Sequence, residues 1–336
     1  MTQGPVVGVL STSFGGYYFG GLLQGIRAEM ATHGGRLIAI QTLDAGTFDK
    51  NFKDPPPFPH RVSWDHIDGF IAIMNGASPA YIRLAQASGR PVVVVSDSPE
   101  GVVCPTVRPD NDSGIFAAVR HLTEHGHSKI AFAGYLDHFD ARERYAAYLE
   151  AMLAHGLDPK GLHFDTGGMQ ESGGKTAARE MLAAGLPSTA VLCGNDQNAF
   201  GLLWALADAG CQLPDDQAVI GFDDMLGAAS IIPSLTSVRQ PLDEVGAVAA
   251  RLVVRMVNGT SVPGEVHRIP TTLVVRESCG CLGPLALTSG HLDDNPANAD
   301  RLLRYEADEV RREGAALPRD RFDDVVAKLR DLGNLP

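Results

Sequence analysis

"AVLCGNDQNAFGLLWALADAG", residues 190–210, reads as a strand, a polar junction and a helix. The run at 190–194 is short and continuously apolar, which suits a strand of a parallel sheet covered on both faces. The stretch 197–209 is long and apolar enough for a helix, and Gly210 stands where a helix takes its left-handed closing residue. Asn195 and Asp196 lie between, and either is a good N-cap. A strand that feeds a helix through a polar turn is half of a βαβ unit. The question is whether that turn only caps, or also touches something.

The unit recurs in both directions along the chain. Strands are expected at 6–10, 37–40, 69–73, 91–96, 129–134 and 218–222, and helices at 19–33, 79–88, 112–125, 140–155 and 171–184. Gly126, Gly156 and Gly185 close helices as Gly210 does. Repeated βα units imply parallel sheets with right-handed crossovers. At 336 residues the chain is too long for one ordinary core, so the reading is two α/β lobes. The segment 44–66 contains three consecutive prolines and is read as an extended loop packed by Phe52, Phe58 and Trp64. After Cys281 comes a linker, then two charged amphipathic helices at 298–314 and 319–333, read as an appendage.

Composition narrows the function classes. The formal charge is −12, from 40 acidic against 28 basic residues, which disfavours a nucleic-acid surface on this chain. No stretch reaches the roughly 20 apolar residues of a membrane span, and the N-terminus lacks a signal pattern. A cytoplasmic protein with no membrane contact is expected. Five scattered cysteines point to free thiols. Cys279 and Cys281, in "CGC", could ligate a soft metal, but no histidine pair stands at suitable spacing. His121 and His125 are spaced i,i+4 as metal pairs are, yet they sit at a helix end where histidine suits the dipole. No metal and no cofactor are expected. P-loop, HExxH and GxSxG motifs are missing. Asp196 and Asp223 alone make a weak case for hydrolysis, so the chain is read as a non-enzyme.

In parallel α/β sheets, ligands sit beyond the carboxyl ends of the strands. Those ends carry Phe14, Tyr17 and Tyr18; Asn75; Ser96 and Asp97; Arg142 and Arg144; Asn195; and Asp223. Carboxylates, amides, a guanidinium fork and aromatic faces together suit a small polar, polyol-like guest. Each has a plainer reading. Asn195 and Asp196 can cap the helix, Asp223 can cap the segment after it, and the tyrosines can be core. Arg142 and Arg144 are two apart on one helix, so one points inward, and Arg142 is favoured.

Five stretches in order, "GLLQGIRAEMATHGG" (21–35), "DNDSGIFAAVRHLTEHGHSKIAFAGY" (110–135), "ARERYAAYLEAM" (141–152), the opening 190–210 and "AVIGFDDMLGAASIIPSLTSVRQPLDEVGAVAARLV" (218–253), resemble the ligand-binding core of the LacI/GalR family. That family shares its fold with type I periplasmic binding proteins. The resemblance covers about residues 5–280. It implies effector contacts at Arg142 or Arg144, Asn195 and Asp223, with the loop holding Phe14, Tyr17 and Tyr18 closing over the guest. It also implies three hinge crossings. One lobe would be 5–110 plus 241–271, the other 111–240 plus 272–282, with 283–336 as linker and appendage. The family's helix-turn-helix has no counterpart ahead of the first strand.

The expectation is therefore a sensor that binds a sugar-like effector and passes lobe closure to a signalling or transcriptional output. The alternative is a LacI-type regulator whose DNA-binding head is absent from this chain. Expected partners are the effector, a second copy as homodimer, and a downstream signalling domain or separate DNA-binding partner.

Overall fold

Twelve short strands, seven helices and their connections are resolved in a computed structural model that describes residues 4–43, 55–262 and 264–281. Phe52 and the two charged helices expected near the C-terminus lie outside the described residues.

The first sheet contains β1 (Val6–Ser11), β2 (Arg36–Gln41), β3 (Gly69–Ile73), β4 (Val92–Val95), β5 (Thr106–Pro109) and β11 (Val266–Ile269), in the order β11-β5-β4-β3-β1-β2. All of its pairings are parallel. The second contains β6 (Ile130–Gly134), β7 (His163–Asp165), β8 (Ala190–Cys193), β9 (Ala218–Asp223), β10 (Thr236–Arg239) and β12 (Thr272–Val274), in the order β12-β10-β9-β8-β6-β7. The two orders are the same pattern used twice. In each, the strand that comes first in the chain has neighbours on both sides, so the chain reverses its direction of travel there. That reversal is the switch point at which open α/β sheets leave a crevice.

One strand departs from the all-parallel expectation. β12 pairs antiparallel with β10 because it enters from β11 with only Pro270 and Thr271 between, and no helix turns the chain round.

The helices are α1 (Gly16–Thr32), α2 (Pro79–Ala87), α3 (Asn111–Glu124), α4 (Phe139–Ala154), α5 (Glu171–Ala183), α6 (Asp196–Asp208) and α7 (Leu242–Val257). α6 follows β8 as the opening stretch predicts, and Gly210 closes it at φ 89°. α1 begins earlier than expected, so Tyr17 and Tyr18 lie on its first turn and not in a loop. The chain passes between the sheets at three places: after Pro109, between Arg239 and Leu242, and between Ile269 and Thr272. α7 thereby returns to the first sheet, where Val245, Ala249 and Val253 join Val7 and Val9 in one core. α1 and α7 pack at backbone distance. A Cβ on Gly25 would sit 1.8 Å from the Asp243 carbonyl oxygen, so only glycine admits this contact.

The proline-rich loop is anchored where it is described. Trp64 is 6% exposed and its indole donates to the Tyr81 hydroxyl at 2.8 Å, while Phe58 packs beside Tyr81.

Candidate functional site

The carboxyl ends of β3, β4 and β9 share an unusual backbone. Met74, Ser96, Asp223 and Asp224 have φ of 51°, 52°, 125° and 56°, a region that side chains with a Cβ rarely enter. Such strain persists only where the surroundings over-determine it, and it concentrates at ligand sites.

Arg144 organises the second lobe's side of this region. It projects from α4 and is 2% exposed. Its Nε donates to Asn111 Oδ1 at 3.0 Å and its Nη1 to the Gly194 carbonyl at 2.7 Å. The guanidinium lies 3.7 Å from the Phe222 ring centroid, and Nη1 stands 3.8 Å from Asp223 Oδ1. Asn111, the first residue of α3, also donates to Glu143 Oε2 at 2.9 Å. A rigid fork held on three sides suits a site that must present a fixed donor direction.

Asp196 and Asp223 are two carboxyls in unlike settings. Asp196 is fully buried; its Oδ2 accepts from the Met225 amide at 2.7 Å and its Oδ1 from Ser237 Oγ at 2.6 Å. Gly221 makes room for it, since a Cβ there would meet Asp196 Oδ1 at 2.1 Å. Asp223 accepts from the Gln240 amide and faces Arg144. Burial pushes both carboxyls up, and the neighbouring Asp223 raises Asp196 further. Asp223 rises less because Arg144 and Gln240 favour its charged form. Asp224 is held by Arg239 and Arg276, each at 2.6 Å.

The first lobe meets this surface with tyrosines and a strand end. The Tyr17 hydroxyl donates to the Asp223 carbonyl at 3.4 Å, a direct bond from α1 to β9. Burial and the Asp223 charge push the Tyr17 hydroxyl up to about 12. Tyr18 feels Asp140, Arg144 and Asp223, and burial pushes its hydroxyl higher still. Asp97, whose Oδ1 accepts from the Ser98 amide at 2.7 Å, is raised by burial to about 6, with Asp140 adding to the rise and Arg142 opposing it. Charged pairs tie the lobes near the crossings: Arg108 to Glu143 at 3.0 Å and Arg268 to Asp112 at 3.2 Å.

Two buried polar atoms in this region, His138 Nδ1 and Gln240 Oε1, have no hydrogen-bond partner among the described residues, and the buried Tyr18 and Ser96 hydroxyls have only each other. They come from both lobes. Leaving such a group unpaired costs about 1–3 kcal/mol, so an interior that gathers several groups with bonding capacity left over is arranged to receive a polar guest.

The sequence-chosen residues divide as follows. Tyr17, Tyr18, Ser96, Asp97, Arg144 and Asp223 converge. Arg142 is not the inward arginine of its pair: it is exposed and donates to the carbonyls of Leu136 and Asp137 at 3.1 and 2.8 Å. Arg144 takes the inner position because it shares a face with Ala141, Ala147 and Tyr148, all buried. Asn195 does cap α6: its Oδ1 accepts from the Asn198 amide at 2.8 Å and its Nδ2 donates to the Met169 carbonyl at 2.8 Å. That leaves it one lone pair and one N–H for a guest. Phe14 is half-buried against the first lobe's core, and Asn75 follows β3 at the same edge, also half-buried. Sequence reasoning missed Asn111, His138, Asp140 and Gln240 as site residues. The position of His138 and Asp140 at the start of a helix after an apolar strand was the available signal.

The reading of "CGC" as lacking a histidine pair is also corrected. Packing of α3 against the chain after β12 places Cys281 Sγ 3.1 Å from His125 Nε2 and Cys279 Sγ 3.2 Å from His121 Nε2. A surface hollow of about 300 Å³ lies elsewhere, between α1 and α7, lined by Gln24, Glu29, Asp243 and Glu244. It gathers no comparable set of buried, unpaired groups, and the interlobe region is the better site on chemical grounds.

Comparison with known proteins agrees with this architecture. Residues 119–279 match the family model of a periplasmic binding protein-like domain. The chain is 28% identical over 214 residues to catabolite control protein A of Priestia megaterium, covering 63% of this chain and 64% of that protein. It is 35% identical over 173 residues to the HTH-type transcriptional regulator GalR of Escherichia coli, covering half of each. The chain thus spans about two thirds and one half of these relatives' lengths. Among solved structures, a LacI family transcriptional regulator from Enterococcus faecium with bound ribose aligns at 25% identity with TM-score 0.68, covering 83% of this chain and 99% of that one.

Proposed function

We propose, from the premise that this chain carries the periplasmic-binding-protein-like ligand-binding core of the LacI/GalR family, that it is a sensor for a small hydroxyl-bearing effector held between the lobes. The observation that carries this is the set of buried polar atoms with bonding capacity left over, contributed by both lobes around the Arg144–Asp223 pair. A sugar or sugar-like metabolite matches their chemistry, because hydroxyls both donate and accept. The ribose bound to the Enterococcus faecium regulator supports the same class.

Binding would act on the lobe angle. Tyr17 and the Arg108–Glu143 and Arg268–Asp112 pairs join surfaces that separate when the three crossings flex. A guest bridging the lobes favours the closed arrangement by its extra contacts there. We read the output as transcriptional or signalling, passed through a second copy of the chain or a partner domain. The regulator relatives favour transcription, so the alternative of a DNA-reading partner element stays with this reading. In this reading the action is binding without turnover, and the working compartment is the cytoplasm.

The test is a thermal-shift screen of the full chain against pentoses, hexoses, disaccharides, polyols and purines. A true effector at a hundred times its dissociation constant stabilises the protein by about 2.7 kcal/mol, and is recovered unchanged. The same compound should fail to shift Arg144→Met. A panel with no hit, or a hit that shifts the variant equally, overturns the site.

A further inference from the structure

Roughly 20 Å from Asn111 along α3, at 1.5 Å per residue, the helix ends in His121 and its C-cap His125. They stand one turn apart on one face, as i and i+4 residues do. Against them lies the segment after β12. It forms a single 3-10 turn, Glu277–Cys279, and then reverses at Gly280, whose φ of 90° suits glycine and strains any other residue. That reversal brings Cys281 back beside Cys279, so both sulfurs face the histidines.

His121, His125 and Cys281 meet at ligand spacing, and Cys279 stands beside His121. Cys281 Sγ is 3.1 Å from His125 Nε2 and 3.7 Å from His121 Nε2, and Cys279 Sγ is 3.2 Å from His121 Nε2. One ligand atom from each of His121, His125 and Cys281 lies within 4.8 Å of the others. Around a tetrahedral ion with metal–sulfur bonds of about 2.3 Å and metal–nitrogen bonds of about 2.0 Å, neighbouring nitrogen and sulfur atoms stand about 3.5 Å apart. The three observed separations bracket that value.

The surrounding bonds orient the ligands. His125 Nδ1 lies 2.7 Å from the His121 carbonyl oxygen, which can only accept. Nδ1 therefore carries the proton, and the Nε2 lone pair points at Cys281. A backbone carbonyl on the far ring nitrogen is the usual support of a metal-binding imidazole. On the other side, Thr236 Oγ1 donates to Cys279 Sγ at 3.1 Å. Thr236 is itself fixed, since its Oγ1 accepts from the Arg276 amide at 2.8 Å.

We propose that His121, His125, Cys279 and Cys281 form a structural zinc site, distinct from the interlobe site and independent of it. Two imidazole nitrogens and two thiolates select a borderline-soft ion with no geometric demand of its own, and the group includes no carboxylate to suit a hard cation. Binding exchanges two thiol protons, released to solvent, for two metal–sulfur bonds. The ion would fasten residues 279–281 to the end of α3.

The test uses the untagged full chain, reduced, stripped with a chelator and titrated with Co²⁺ as a spectroscopic stand-in. One equivalent should produce a thiolate-to-cobalt charge-transfer band and the intense d–d bands of a tetrahedral site, and Zn²⁺ should abolish both. The double variant His125→Ala/Cys281→Ser changes two residues at the lobe surface. It should keep the circular dichroism of the parent, lose the bands and weaken Zn²⁺ binding by more than about tenfold. Three results overturn the site: no charge-transfer band in the reduced parent, unchanged bands in the double variant, or a Cys279–Cys281 disulfide whose reduction restores no metal binding.

Discussion

Arg144 and Asp223 face each other at 3.8 Å, with the guanidinium 3.7 Å from the Phe222 ring centroid in between the two strand ends it serves. The arginine side chain is 2% exposed and the aspartate 18%. Removing one partner of so enclosed a pair leaves the other uncompensated, at a cost of about 3–5 kcal/mol. Arg144→Met should lose that much stability by urea unfolding at neutral pH. Arg144→Met/Asp223→Asn should lose less than the single variant, because no unpaired charge remains. Equal losses in the two proteins would mean that Arg144 acts through its bonds to Asn111 and Gly194 alone.

The Arg144 position shows how far the sequence was legible. Residues 142 and 144 plainly oppose each other on a helix, but which faces inward depends on helix phase. Ala141, Ala147, Tyr148 and Ala151 mark the buried face, and that stripe could have selected Arg144. The βα alternation was readable because β3, β4, β6 and β8 are continuous apolar runs. β5, β7, β10, β11 and β12 mix polar with apolar residues over only three or four positions, so neither a continuous apolar run nor a period shows. The cysteine–histidine cluster was beyond local reading for a different reason. His121 and Cys279 are 158 residues apart, and only the packing of α3 against β12 brings them together.

Tyr17→Phe removes one hydroxyl that bonds across the lobes to the Asp223 carbonyl at 3.4 Å. The bond is long, so its loss costs the closed form about 0.5–1 kcal/mol and each lobe's own core nothing. Effector affinity should fall by roughly two- to fivefold while the unfolding midpoint stays put. Small-angle scattering of the unliganded variant should give a larger radius of gyration than the parent. Unchanged scattering and affinity together would remove Tyr17 from the closing contacts.

Asp196→Ala strands two buried donors, the Met225 amide and Ser237 Oγ, and should cost about 2–4 kcal/mol. Gly221→Ala attacks the same arrangement from the strand side, since its Cβ would meet the carboxylate at 2.1 Å. The two changes disturb one unit, so the double variant should lose less than the sum of the singles. Strict additivity in denaturant unfolding would show that Gly221 and Asp196 act separately.

Asp97 gives the closing surface a pH dependence whose sign can be worked out. Burial and Asp140 raise its carboxyl from 3.8 to about 6, against the pull of Arg142 and the Ser98 amide. The folded chain therefore binds this proton more tightly than the unfolded chain. The resulting stabilisation is fully present below about pH 3.8 and is lost as pH rises through about 6. Asp97→Asn keeps the shape of the neutral form and removes the titration. Asp196 and Asp223 titrate in both proteins and cancel in the difference. The stability of Asp97→Asn minus that of the parent should thus be flat well below the unfolded pKa, rise between about pH 4 and 6, and level off at neutral pH. With allowance for partial exposure, the plateau should be on the order of 1–2 kcal/mol. A difference that stays constant from acid to neutral pH would show that the Asp97 proton is held no more tightly in the folded chain than in the unfolded one.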